Sequence, residues 1–98
     1  MKTPVTHPGV GLVMLLKVTS IEWLADRELL VYVFDNGALL SYGAGVVPGT
    51  DVPTYRFVFS SGFGGSKEAY QRGQLLAIGY SRGLGYGGVQ EHFESLCG

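Results

Sequence analysis

Cysteine is nearly absent: Cys97 stands alone among 98 residues. One cysteine makes no internal disulfide, so nothing points to an oxidising compartment and a cytoplasmic protein is expected. Charge is scarce too. Seven Lys+Arg against eight Asp+Glu give a formal net charge of -1. Without a basic surplus to neutralise phosphates, nucleic acid is not expected as a partner. Histidine amounts to two residues, His7 and His92. With Cys97 they show no metal-ligand spacing, so neither metal nor cofactor is expected. No apolar run reaches the roughly 18 residues that span a bilayer, and no membrane association is expected. The run over residues 10–16 ends at Lys17 without a small-residue cleavage site, so it is not read as a secretory leader.

What is present is apolar. Hydrophobic residues make up 46% of the chain and charged ones 15%, which excludes a disordered polymer. The length fits one domain. Residues 1–9, with Pro4, His7, Pro8 and Gly9, read as an irregular arm. Residues 10–98 read as a single α+β domain. Glycine is abundant, with 16 residues and no fixed period, which excludes collagen and repeat arrays. Each glycine adds backbone entropy lost on folding. A small chain with that burden needs further support, and oligomerisation is one source.

Residues 10–24 look extended, since Val18, Thr19, Ile21 and Trp23 suit a pleated surface. A helix is the rival reading for residues 12–16. Residues 25–28 form a polar turn, and 29–34 the clearest strand. Asn36-Gly37 then tolerates positive φ at both central positions of a tight hairpin. Residues 38–42 return. Residues 43–53, rich in Gly and Pro, read as a loop. A fourth strand covers 55–60, with Tyr55, Phe57 and Phe59 on one face. Ser66 opens a helix by capping its first turn, with Glu68 at the positive end of the dipole. Its apolar stripe is Ala69, Leu76, Ala77 and Tyr80, and Arg82-Gly83 ends it. A short last helix covers 89–96, with Val89, Phe93 and Leu96 on one face. The expected architecture is a four-stranded antiparallel sheet with one main helix on one face and a short C-terminal helix; a curled sheet or partial barrel is the alternative. The expected core is Val18, Ile21, Leu29, Val31, Val33, Leu39, Phe57, Phe59, Ala69, Leu76 and Ala77.

The strongest functional signal is the strand Leu29-Leu30-Val31-Tyr32-Val33-Phe34, apolar on both alternating faces. A half-exposed antiparallel strand alternates apolar with polar, so the second face needs cover from another subunit, another layer or a ligand. Leu30, Tyr32 and Phe34 are its candidate interface. Ala69, Gly73 and Ala77, four apart, form a small-residue groove for close packing on the sheet or for a helix–helix contact between copies. Gly73 costs about 1 kcal/mol relative to Ala, so a packing reason is expected.

Other constellations offer binding chemistry. Gly62, Gly64, Gly65, Ser66 and Lys67 lead from a strand into a helix, where backbone amides can face an anion. This is not a P-loop, which needs Gly-Lys-Ser/Thr. Trp23, Tyr32 and Tyr42 can line an aromatic pocket, with Glu22, Asp26 or Asp35 available to a cation. For catalysis, His92 lies between Glu91 and Phe93 and shares no helix face with a carboxylate by spacing. It reads as a solvated histidine. A pairing of His92 with Cys97, five residues on, is poorly placed for thiolate activation.

Two resemblances are local. Residues 57–69, ending in Ser66-Lys67-Glu68-Ala69, look like the last strand and helix of double-stranded RNA-binding domains; Glu68 replaces the second lysine of that signature. Residues 17–42 resemble the opening hairpin of a family of small uncharacterised bacterial domains, through Val18, Ile21, Leu24, Asp26, Leu29, Val31, Phe34, Asn36, Gly37 and Tyr42. That family carries no chemistry to transfer. In style the chain is similar to small proteins encoded on bacterial mobile gene cassettes.

The function expected from these residues is non-enzymatic, through self-association as a homodimer or another protein partner. A small-ligand module, with an aromatic-lined pocket or an anion site at residues 62–67, is the alternative. An enzyme is the third reading, and it would need His92 or His7 near a carboxylate or Cys97.

Overall fold

The computed structural model describes residues 16–97. The arm over 1–9, the extended or helical run up to residue 15, and His7 lie outside the described residues. Among the described residues four strands are followed by two helices: β1 (Val18–Leu24), β2 (Leu29–Phe34), β3 (Leu39–Val46), β4 (Pro53–Ser61), α1 (Lys67–Gly83) and α2 (Val89–Cys97). The sheet runs β1-β2-β3-β4 with every neighbour antiparallel. It is the expected α+β arrangement, with an open sheet rather than a partial barrel.

The turns explain the meander. Glu28 closes the β1–β2 turn in the left-handed region, at φ 52. The β2–β3 connection differs from the expected two-residue turn. The Gly37 amide donates to Phe34 O and the Phe34 amide to Ala38 O, both at 2.9 Å, and of the turn residues Gly37 alone has positive φ, at 87. This is a type I turn followed by a left-handed glycine, which needs one positive φ rather than two. The segment read as a loop over 43–53 is strand at both ends, with β3 running to Val46 and β4 starting at Pro53. Gly43 and Gly45 serve the ladder because side chains crowd them. A β-carbon at Gly43 would meet Leu29 Cδ2 at 2.6 Å, and one at Gly45 would meet Val58 Cγ1 at 2.8 Å. The true turn is Val47-Pro48-Gly49-Thr50, closed from the Thr50 amide to Val47 O at 2.9 Å, with Gly49 at φ 80, as a Pro-Gly type II turn requires.

Helices cover one face of the sheet, and it is the face opposite to the one expected. Leu30, Tyr32, Phe34, Leu40 and Tyr42 form the core with Ala77, Val89 and Phe93, and Val18, Ile21, Phe57 and Leu76 pack against it. Each such large side chain contributes about 1.5–3 kcal/mol of burial. Leu30, Tyr32 and Phe34 are therefore core and offer no surface to a partner. Leu29, Val33, Leu39 and Phe59, expected inside, are not part of that core. The reason is that β2 is apolar on both sides, so alternation fixes the period but not the phase.

Two bulges complete the phasing. The β1 register shifts between Val18 and Ser20, which lets Val18 and Ile21, three apart, both reach the core. The β3–β4 register shifts between Ser41, paired with Phe59, and Tyr42, paired with Phe57. Val58 is the extra residue, and Phe59 leaves the face that Tyr55 and Phe57 share.

Ser66 caps α1 as expected, its hydroxyl accepting from the Ala69 amide at 3.1 Å. Ala69, Gly73 and Ala77 are buried, so the small-residue stripe packs inside rather than against a second copy. Gly73 has its packing reason: a β-carbon there would meet Phe63 Cε1 at 2.9 Å, and Phe63 stands edge-on to Phe34 with centroids 5.6 Å apart.

Candidate functional site

Among the described residues no helix lies on the other face of the sheet, and this face carries the first candidate. Here Glu22, Leu24, Arg27, Leu29, Val31, Leu39, Ser41 and Phe59 line a groove of about 470 Å³. The cross-strand pairs build it: Leu24 faces Leu29, Glu22 faces Val31, Val31 faces Ser41, and Ser41 faces Phe59. Val31 and Ser41 are buried on its floor, while Phe59 is 56% exposed. The walls are apolar, and one acid and one base stand on the lining. The sequence marked β2 as apolar on both sides but assigned the open face to the wrong set of residues.

The second candidate is a buried polar chain on the covered face. Tyr32 Oη lies 2.5 Å from Ser81 Oγ, and Ser81 Oγ lies 2.9 Å from His92 Nδ1. All three residues are buried, and they come from β2, α1 and α2. The end of α1 delivers the fourth member. The Gly85 amide donates to Arg82 O and the Tyr86 amide to Ser81 O, both at about 3 Å, with Gly85 at φ 102. This Schellman turn brings Tyr86 back over the imidazole, stacked at 4.3 Å and 9°. Glu91 accepts from the Gly87 amide at the start of α2, and Arg82 Nε donates to Gly87 O at 3.2 Å.

Electrostatics follow from this burial. The Tyr32 phenol is pushed up to about 12 by desolvation, against the lowering effect of its bond to Ser81. Burial also holds the His92 imidazole below its ordinary value. His92 is thus not the solvated residue its neighbours in sequence suggested. Its partner is Ser81, neither a carboxylate nor Cys97. Ser81 is wholly buried, so this Ser–His contact has no open path for a substrate and does structural work. The signal that could have exposed it is helical phase: Ser81 lies four residues after Ala77, on the buried stripe.

Trp23 and Tyr42 do not enclose an open pocket with Tyr32. Their rings, with Tyr55, surround Phe93 of α2 at centroid distances of 5.4, 5.6 and 5.1 Å, so the chain fills the space itself. Gly62, Gly64, Gly65, Ser66 and Lys67 border a cavity of about 370 Å³ with Phe63 and Tyr70. Gly62 is there for contact, because its β-carbon would come within 2.7 Å of Ala38 Cα. Cys97 is exposed, and its thiol is pushed up by desolvation and then by the charges of Glu28 and Glu94, the reverse of activation. Among the described residues, no three His, Cys, Asp or Glu side chains converge as a metal site would require, and no helix is long and apolar enough to cross a membrane.

No family model, curated protein or solved structure matches this chain.

Proposed function

We propose that this chain is a non-enzymatic interaction module that acts as a homodimer joined through the grooved face of its sheet. The supporting observation is the groove floored by Val31 and Ser41, with apolar walls and both Glu22 and Arg27 on its lining. A two-fold contact presents the same patch from both sides, so the patch must complement itself. One with an acid and a base does so: Glu22 of each copy meets Arg27 of the other while Leu24, Leu29, Leu39 and Phe59 leave water together. The 16 glycines support the same reading, because a second copy adds burial that offsets their folding entropy. A cytoplasmic setting, inferred from the lone Cys97, belongs to it. A small apolar ligand is the second reading, favoured by a groove volume of about 470 Å³ within the roughly 300–1,000 Å³ of ligand pockets.

Light scattering over a concentration series tests the dimer. The expected mass is twice 10.5 kDa. Phe59→Glu gives a monomer with an unchanged far-ultraviolet spectrum. Glu22→Arg and Arg27→Glu each weaken the dimer, and the double variant restores it. A chain that stays monomeric at the highest concentration, or a Phe59→Glu variant that dimerises as the parent does, overturns the proposal. A monomer whose melting temperature rises in a screen of apolar ligands establishes the second reading.

A further inference from the structure

We propose that Tyr32, Ser81 and His92 form a proton-operated latch that holds α2 on the sheet while His92 is neutral and loosens it when His92 takes a second proton. The basis is a count of hydrogens. The chain has two links, Tyr32 Oη to Ser81 Oγ and Ser81 Oγ to His92 Nδ1, at 2.5 and 2.9 Å. Two hydroxyl hydrogens fill them when Nδ1 accepts: Tyr32 donates to Ser81, Ser81 donates to His92, and the ring carries its hydrogen on Nε2. The other neutral tautomer leaves one hydroxyl hydrogen over, so this arrangement is the satisfied one. A protonated imidazole carries hydrogen on both nitrogens. Three hydrogens then compete for two links. Whichever way the chain turns, one buried hydroxyl hydrogen loses its acceptor, a defect that native interiors avoid.

The surroundings do not offset the added charge. The groups facing the imidazole are Tyr32 from β2, Ser81 from α1 and Tyr86 from the link, all uncharged. Tyr42 of β3 and Trp23 of β1 face Phe93 beside it. On α2, Glu91 is turned to the Gly87 amide and Glu94 accepts from Gln90 Nε2. Arg82 of α1, whose Nε donates to Gly87 O, adds a charge of the same sign. Burial is the cause that keeps the ring neutral.

The latch bears on α2 because its three members lie on three elements. Apart from this chain, α2 is seated by Val89 and Phe93, and Gly85, Gly87 and Gly88 precede it. Loosening α2 uncovers the Trp23, Tyr42 and Tyr55 rings that now enclose Phe93. This face lies across the sheet from the groove proposed for dimerisation, so the two proposals stand or fall separately.

Hydrogen–deuterium exchange of the full chain tests the latch, with rates corrected for intrinsic pH dependence. Between about pH 7.5 and about pH 5, α2 amides lose about tenfold in protection while α1 amides do not. An NMR titration of His92, assigned by the signal missing from His92→Asn, has its midpoint below 6.5. His92→Asn and His92→Gln keep an acceptor for Ser81 and cannot take the proton, so α2 no longer responds to pH. Protection of α2 that tracks α1 in the parent chain overturns the latch, and so does a response retained in either variant. If both variants unfold, exchange in the parent chain decides.

Discussion

On β2, Leu30, Tyr32 and Phe34 point to one side of the sheet, and Leu29, Val31 and Val33 to the other. The first set is closed under two helices; of the second, Leu29 and Val31 line a groove. Apolar character does not separate them, since both sets would transfer favourably from water. What separates them is size and a polar handle. The covered set holds two aromatic rings, and the Tyr32 hydroxyl finds a buried partner in Ser81 of α1. The open set is aliphatic and carries no group that needs one. Coverage follows the side chains that a helix can satisfy as well as bury.

The two faces should therefore respond differently to equivalent truncations. Phe93→Ala empties the space between Trp23, Tyr42 and Tyr55 and costs about 3–5 kcal/mol in urea denaturation. Phe59→Ala, on the open face, changes monomer stability by about 0.5 kcal/mol or less and acts on the dimer instead. Equal losses would mean that the faces are not distinct. Next in size is Ser81→Ala. It leaves the Tyr32 hydroxyl and His92 Nδ1 buried without their common partner and lowers stability by about 3 kcal/mol, from about 1–3 for each group.

pH sharpens the contrast through the covered face alone. His92 has a folded pKa below the ordinary 6.5, so the unfolded chain binds its proton first as pH falls. Stability is full above about 6.5, falls as pH drops through the window down to the folded value, and levels below it. Tyr32 acts at the other end. Its folded pKa is raised from 10.0 to about 12, so its contribution is full below the unfolded value and is lost as pH rises through that window. Urea titrations at stepped pH should show both windows, and His92→Asn should erase the acidic one. The smallest effect belongs to the turn beside the groove. Glu28→Gly relieves a left-handed residue that costs roughly 1–2 kcal/mol, less the entropy that glycine adds to the unfolded chain, and should raise the melting temperature by a few degrees.

Much of the fold was legible because it is written in local chemistry. Ser66 as a cap, the polar turn over 25–28 and the Asp35-Asn36-Gly37 connection act on their nearest neighbours, and each is where the pattern put it. Phase was less legible. Two faces of similar hydrophobicity give one periodicity, and a bulge leaves no mark in composition, so Phe59 was grouped with Tyr55 and Phe57. Gly43 and Gly45 misled for a related reason: crowding by Leu29 and Val58 is a property of the assembled sheet. At the candidate sites, the doubly apolar strand announced an open face without saying which residues form it. Helical phase marks Ser81 as buried, but its contact with His92 depends on the Schellman turn that brings the two helices together, which spacing does not show.

The extra residue in β4 has a consequence for how this surface can change over generations. Phe59 looks away from the core because Val58 is unpaired, not because of any property of phenylalanine. Replacing Phe59 alters what the groove wall is made of but leaves that position on the wall. Losing a single codon at position 58 would remove only the unpaired residue and leave Phe59 opposite Ser41 and Ser60 opposite Leu40. The groove wall is thus open to gradual tailoring by point changes, and it survives loss of the residue that the bulge leaves over.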